Sequence, residues 1–164
     1  MHVYIYDSYV NQKKFDSIAA RIETRITDLG LNGRIIRLGM ISSVNNAVES
    51  EAKKGAKTIV AVGSNGLLHK TINAVARLQN MELANPFIPV GFIPVGKKDN
   101  TVADCLGFEY EEAACDILSA RRIERLDLGQ ANERFFLTQA GITTDATRIE
   151  IDGNPFGFDC HNAT

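Results

Sequence analysis

The fold is decided by the stretch Thr58-Ile59-Val60-Ala61-Val62-Gly63-Ser64-Asn65-Gly66. Its first five residues are almost wholly apolar and mostly β-branched, which is typical of a strand buried on both faces of a parallel sheet. The next four are small or polar, and apolar residues then recur at helical spacing over residues 67–78. A buried strand that leads through a short turn into a helix predicts a βα unit.

Strands and helices alternate on both sides of this unit. Strands are predicted at residues 3–6, 34–38, 58–62, 88–93, 123–128 and 134–139, and helices at residues 13–29, 44–54, 67–78, 102–106 and 111–119. Strands that alternate with helices form βαβ units. The pattern therefore predicts an α/β domain with a three-layer, mostly parallel sheet that carries helices on both faces.

Length and charge narrow the class of protein. The 164 residues are 45% hydrophobic and 23% charged, which suits one domain, or one domain and a fragment of a second. The net charge of -2 gives no electrostatic attraction to nucleic acid or to an anionic membrane. The longest apolar stretch, residues 87–95, contains two prolines and a glycine and is too short to span a bilayer. We therefore expect no nucleic-acid partner and no transmembrane segment.

The number and spacing of the cysteines indicate the cellular compartment of the protein. Cys105, Cys115 and Cys160 form no CxxC pair and are odd in number, which favours reduced thiols over a disulfide framework. The first six residues lack the basic region and cleavage site of a signal peptide. These features predict a soluble, cytoplasmic protein.

Two glycine-containing loops indicate where a ligand binds. Residues 63–66 and 96–100 follow predicted strands at the carboxyl edge of the sheet, where open α/β sheets bind ligands. Free N–H groups at the start of a helix bind anions, although any strand-to-helix turn favours Gly, Ser and Asn. Lys70 is expected in the first helical turn, where the helix dipole disfavours a cation. A bound phosphate would relieve that conflict, and so would exposure of the side chain to water.

Successive segments resemble the signatures of diacylglycerol kinases and related lipid kinases. Residues 59–74, IVAVGSNGLLHKTINA, resemble the family motif GGDGTxNEVxNG, and residues 93–107, IPVGKKDNTVADCLG, resemble PLGTGNDFARSLG with one residue inserted. Residues 127–137, DLGQANERFFL, are similar to DLGxxNGRYFLN, and residues 141–146, GITTDA, resemble GxGxDA. The segments occur in the family's order and at nearly its spacing.

The resemblance implies a fold like the amino-terminal domain of NAD kinases and diacylglycerol kinases. Residues 1–130 would form a nucleotide-binding α/β domain, and residues 131–164 would resemble the start of the β-rich second domain. The implied reaction is phosphoryl transfer from ATP, with magnesium as the family's metal, to a lipid hydroxyl; such transfer depends on positioning and charge stabilisation. A lipid acceptor is implied only where the whole second domain is present, because that domain supplies the lipid pocket and an acidic catalytic group.

The glycine loop departs from the family motif at its charged and polar positions. Ser64 replaces a glycine, Asn65 an acidic residue, Leu67 a threonine and Lys70 a glutamate. In the second loop, Lys97 and Lys98 replace a small Thr-Gly pair. The positions carried over as nucleotide contacts are Gly63, Ser64, Asn65, Gly66, Leu67, Lys70, Gly96, Lys97 and Asn100. No residue is nominated as catalytic or as a metal ligand, and the lost acidic groups weaken the expectation of magnesium.

Three functions remain open. The chain is interpreted first as the nucleotide-binding part of a lipid-kinase-like enzyme that does not catalyse the reaction alone. A non-catalytic module is the second, in which Lys70, Lys97 and Lys98 hold a phosphate or nucleotide without magnesium. The third is a structural domain that forms a homo-oligomer through exposed strand edges. A flavodoxin-like or receiver domain is the alternative at the level of the fold.

Overall fold

A parallel four-stranded sheet forms the centre of the molecule. The computed structural model describes residues 1–39, 43–80, 87–97, 100–141 and 149–156. The strands are β1 (His2–Tyr6), β2 (Gly33–Arg37), β3 (Thr58–Gly63) and β4 (Val90–Pro94), in the order β2-β1-β3-β4. Every neighbouring pair is parallel, and the register places Tyr6 of β1 opposite Val62 of β3. The predicted parallel α/β architecture is confirmed.

In the part of the chain that the structure describes, five α-helices connect and flank these strands. They are α1 (Asp16–Asp28), α2 (Val44–Lys53), α3 (Asn65–Asn80), α4 (Thr101–Leu106) and α5 (Glu111–Ser119). All five were expected from the sequence. α1 begins later than predicted because residues 13–15 form a 3-10 turn, and α3 begins two residues earlier, at Asn65. Within the described residues, no helix has the length and apolar character needed to cross a bilayer.

Both faces of the sheet are covered, which gives three layers. On one face, Val3 and Ile5 of β1 pack with Ile59 and Ala61 of β3 against apolar residues of α2 and α3. On the other face lie Tyr4, Tyr6, Val60 and Val62, which pack against residues of α1 and α5. Successive residues of a strand point to opposite faces, so a strand covered on both sides must be apolar throughout. This explains the continuous apolar run of β3.

The chain beyond α5 forms a small strand-rich tail. Its described residues form two antiparallel hairpins, one of β5 (Gly129–Ala131) and β6 (Arg134–Phe136), the other of β7 (Ile149–Ile151) and β8 (Asn154–Phe156). The predicted strand over residues 134–139 is confirmed only as far as Phe136.

The predicted strand over residues 123–128 is wrong. These residues have no regular secondary structure, and the side chains of Ile123 and Leu126 are 69% and 58% exposed. A strand needs a neighbour for its backbone hydrogen bonds, and none of the described strands pairs with this segment. Apolar composition alone does not supply that neighbour.

Candidate nucleotide-binding cleft

A cleft of about 510 Å³ lies at the carboxyl edge of the sheet. It is formed by the segments that follow β1 and β2, by the turn after β3, and by the first residues of α2 and α3. Its walls are Asp7, Ser8, Tyr9, Leu38, Gly39, Val44, Ser64, Gly66, Leu67 and Lys70. Open parallel sheets bind their ligands at this edge, so the cleft is the candidate site.

Gly63 brings the end of β3 against the residue that follows β1. Its φ is 149°, and a Cβ at this position would lie 2.5 Å from the Cβ of Asp7. The Asp7 N–H also donates to the Val62 carbonyl at 3.0 Å. Only glycine combines this backbone angle with so close an approach. The carboxylate of Asp7 is thereby fixed beside the start of α3.

Ser64 caps α3. Its Oγ accepts a hydrogen bond from the Leu67 N–H at 3.3 Å and donates to Oδ2 of Asp7 at 2.7 Å. Its carbonyl accepts from the Leu68 N–H at 3.1 Å. Serine is a preferred N-cap, and such a cap contributes about 1 kcal/mol. The serine that replaces the family's glycine therefore stabilises the helix that carries the loop.

Two backbone amides remain for an anion. Of the first four N–H groups of α3, those of Leu67 and Leu68 bond to Ser64, whereas those of Asn65 and Gly66 make no hydrogen bond to any residue that the structure describes. A Cβ on Gly66 would have only the Ser64 Oγ near it, at 3.5 Å, so the space beyond Gly66 is open. Two unpaired amides at a helix N-terminus attract an anion.

The side chain of Asn65 is engaged with α4. Its Nδ2 donates to the Thr101 Oγ1 at 3.1 Å, and its Oδ1 accepts from the Val102 N–H at 3.3 Å. Asn65 thus satisfies one of the free amides at the start of α4 and links the beginnings of two helices. Its side chain does not line the cleft.

The second glycine-containing loop also lies outside the residues that line the cleft. Asn100 is completely buried, and its Nδ2 donates to the carbonyls of Val95 and Gly96. Gly96 has a positive φ of 73° that suits glycine. Lys97 is exposed, with its Nζ 6.0 Å from the centre of the Tyr110 ring. Lys98 lies outside the described residues.

The predicted positions therefore separate into two groups. Ser64, Gly66, Leu67 and Lys70 meet in the cleft, with Gly63 at the turn that shapes it. The remaining four serve the second loop and its junction with α3; they are Asn65, Gly96, Lys97 and Asn100.

Lys70 lies differently from the sequence-based expectation. Because α3 begins at Asn65, Lys70 falls in the second turn, where the helix dipole is weaker than in the first. Its side chain is exposed and forms no ion pair with the described residues. The position leaves its charge free to act on a ligand in the cleft.

Sequence reasoning missed the wall contributed by the ends of β1 and β2. Asp7 and Ser8 directly follow a predicted strand, and that position, at the carboxyl edge of the sheet, was the signal that could have indicated them. Tyr9, whose hydroxyl donates to the Val95 carbonyl at 2.7 Å, holds this segment to the end of β4. Asp7 is the single carboxylate among the described residues that line the cleft.

Charge at the cleft is sparse. Among the described residues, one lysine and one aspartate line it, with hydroxyl groups of Ser8 and Ser64 beside the aspartate. No group of three or more metal-ligating side chains occurs in the described parts of the chain. The described residues of the cleft can offer an anion the Gly66 amide and the Lys70 ammonium group, with the Asn65 amide next in the chain, but they offer no preformed metal cage.

Solved structures of similar fold include proteins from Bacillus anthracis strain Sterne. The chain superposes on a diacylglycerol kinase from Bacillus anthracis strain Sterne with a TM-score of 0.68 and 17% identity, over 83% of this chain and 45% of that one. A second structure from this strain, of a protein assigned as a diacylglycerol kinase, gives a TM-score of 0.67 and 17% identity over the same shares. The chain thus spans less than half of the length of these proteins. No curated protein matches it.

The family model for the diacylglycerol kinase catalytic domain matches residues 2–131. This range contains the whole parallel sheet, all five helices and every residue that lines the cleft. The chain belongs to the diacylglycerol kinase catalytic domain family.

Proposed function

We propose that the chain binds a nucleotide in this cleft, as the nucleotide-binding half of a lipid-kinase-like enzyme. The observation that carries the proposal is the pair of amides at Asn65 and Gly66, which make no hydrogen bond to the described residues. Gly66 and Lys70 both line the cleft at the carboxyl edge. A helix N-terminus and a nearby ammonium group both favour a phosphate. ATP is the cofactor that we propose for the site.

The phosphate would lie at the amides and the rest of the nucleotide along the cleft wall. Leu38 and Val44 supply apolar surface, and Leu67 adds a nearly buried side chain that is 3% exposed. Ligand sites commonly combine apolar walls with a few placed polar groups. The cleft of about 510 Å³ has a volume in the range of such sites.

We assign phosphoryl transfer to a lipid hydroxyl only to a protein that also holds the remaining length of the solved relatives, of which this chain covers 45%. In this proposal residues 1–130 bind the nucleotide and residues 131–164 begin the β-rich part that would receive the lipid. No catalytic residue is assigned within the chain.

The test is titration of the purified chain with ADP in the presence of magnesium, followed by calorimetry and by thermal unfolding. ADP at about 100 times its Kd should stabilise the fold by about 2.7 kcal/mol. Lys70→Glu should weaken binding by about tenfold or more, because it replaces an attractive charge with a repulsive one. Lys57→Glu is the matched control, since Lys57 is exposed and directly precedes β3, at the opposite edge of the sheet. Equal affinity of wild type and Lys70→Glu would contradict the proposal.

A second candidate is a non-catalytic phosphate-binding module that needs no metal. It is favoured by the free ammonium of Lys70 and by the lack of a metal-ligating cluster in the described residues. Inorganic phosphate that binds equally well with magnesium and with EDTA would support this candidate over the first.

We also propose a cytoplasmic location. Cys105 and Cys115 are free thiols, Cys105 is exposed, and Cys160 lies outside the described residues. An exposed free thiol suits a reducing compartment. A reporter fusion that matures only in the cytoplasm would test it.

A further inference from the structure

Asp7 places a negative charge beside the anion site. Its Oδ2 lies 2.7 Å from the Oγ of Ser64, which is the residue directly before the open amides of Asn65 and Gly66. A phosphate at these amides would therefore stand close to a carboxylate, and like charges at such a distance repel each other.

No cationic side chain within the described residues forms an ion pair with this carboxylate. Its hydrogen-bond donors are two hydroxyls, Ser64 Oγ at 2.7 Å and Ser8 Oγ at 3.4 Å. The ion pairs of the described chain involve other carboxylates, and Lys70 lines the same cleft without forming an ion pair with Asp7. The phosphate site thus contains a charge that a free nucleotide would have to approach.

We propose that Asp7 makes nucleotide binding magnesium-dependent, by contributing a carboxylate oxygen to a Mg²⁺ ion that the nucleotide's phosphates also bind. This inference rests on the proposed function, since it concerns the same cleft. Magnesium prefers oxygen ligands, keeps several waters, and is commonly bound through one or two carboxylates together with substrate phosphates. One aspartate flanked by two serine hydroxyls is such a donor set, and the metal would convert the repulsion into attraction.

The same donor set predicts that metal and nucleotide bind together. Because the described residues contain no group of three or more metal-ligating side chains, the protein alone offers Mg²⁺ too few ligands for tight binding. The phosphates complete the coordination. Mg²⁺ added without nucleotide should therefore produce no saturable binding in the millimolar range.

Asp7 also accepts a hydrogen bond from Ser64, the cap of α3. The test must therefore separate the effect of losing this contact from the effect of losing the charge. Asparagine has the same shape, and its Oδ1 can still accept the hydrogen bond from Ser64. It also leaves the close packing of residue 7 against Gly63 unchanged. Asp7→Asn therefore removes the charge and preserves the cap, which a thermal unfolding curve close to that of wild type would verify.

The experiment measures the Kd of ADP by calorimetry, with magnesium chloride and with EDTA, for wild type, Asp7→Asn and Asp28→Asn. Asp28 is an exposed aspartate at the end of α1, so its substitution removes an equal charge far from the cleft. For wild type and for Asp28→Asn we expect magnesium to tighten binding by about tenfold or more. For Asp7→Asn we expect no effect of magnesium, and tighter binding in EDTA than wild type shows.

Two outcomes distinguish a failure of this inference from a failure of the proposed function. If ADP binds to wild type but magnesium tightens its binding equally in Asp7→Asn, the role of Asp7 is wrong and the proposed function stands. If ADP binds to none of the proteins, with or without magnesium, the proposed function fails and this inference fails with it.

Discussion

The side-chain amide of Asn73 pairs with both polar groups of the Phe135 backbone. Its Nδ2 donates to the Phe135 carbonyl and its Oδ1 accepts from the Phe135 N–H, each at 2.9 Å. Asn73 is 8% exposed, so the pair is almost entirely shielded from water. It joins the middle of α3 to β6, and it holds the β5–β6 hairpin against the α/β layer.

Asn73→Asp should destabilise the protein by about 1–3 kcal/mol, because the Phe135 carbonyl loses its donor and faces a carboxylate instead. Denaturant unfolding measures the loss, and hydrogen exchange should show faster exchange of the Phe135 amide. Asn46→Asp is the control, since Asn46 is exposed on α2. An unchanged unfolding free energy for Asn73→Asp would show that the hairpin is held by other contacts.

Gly63→Ala should disrupt the turn after β3. The added Cβ would lie 2.5 Å from the Cβ of Asp7, and alanine rarely adopts the φ of 149°. We expect a loss of at least about 2 kcal/mol in unfolding free energy and greatly weakened ADP binding.

Gly66→Ala is the comparison variant, because its Cβ would meet only the Ser64 Oγ, at an ordinary 3.5 Å. Replacing a helical glycine with alanine stabilises by about 0.5–1 kcal/mol. A higher unfolding free energy for Gly63→Ala than for Gly66→Ala would contradict the geometry of the turn.

Asn65→Ala should affect stability more than ligand affinity. The substitution removes the acceptor for the Val102 N–H and the donor to Thr101, at a cost of about 1 kcal/mol. The ADP affinity should change less than threefold because the Asn65 side chain is engaged with α4 and is not among the groups that line the cleft. A variant with a normal melting temperature and no ADP binding would place this side chain in contact with the nucleotide.

Alkaline pH should destabilise the fold through buried acids, because burial raises the pKa values of Tyr4, Tyr6 and Cys115. Burial raises the pKa of Tyr4 from 10.0 to about 12, and burial raises the pKa of the Cys115 thiol from 9.0 to about 11. Each folded pKa lies above its unfolded value, so the stabilisation is complete below about pH 9 and is lost as the pH rises through 11 and 12. Unfolding free energies from denaturant titration between pH 8 and about pH 11.5 test this.

Cys115→Ala should reduce the slope of that decline between about pH 9 and pH 11, since it removes one of these buried acids. Cys105→Ala is its control, because Cys105 is exposed. A decline that is the same in both variants would assign the alkaline loss to groups other than Cys115.

The fold was predictable because its signals are local. The apolar run of β3 and the helical spacing in α1 and α3 each occupy a continuous stretch of sequence. Residues 123–128 show the limit of such signals: their composition favours a strand, but strand formation depends on a neighbour that the segment lacks.

The site was predictable only in part, for a similar reason. Ser64, Gly66 and Lys70 are adjacent in sequence to the turn after β3, so the turn indicated them. Asp7 and Leu38 reach the cleft only because β1 lies between β2 and β3, and the sequence did not specify that order. Asn65 turns toward α4 because of how two helix starts meet, a relationship that no local pattern encodes.

The contact between Gly63 and Asp7 couples two segments that are distant in sequence, so a substitution in one of them affects the other. Grafting a relative's glycine-rich turn into this chain would remove the Ser64 hydroxyl and leave the Asp7 carboxylate without its shortest hydrogen bond. Replacing Asp7 with a residue that has no side-chain acceptor would leave the Ser64 hydroxyl, which also accepts from the Leu67 N–H, without its present acceptor. A substitution at residue 7, 63 or 64 that does not preserve these contacts therefore calls for a compensating change at the other two positions.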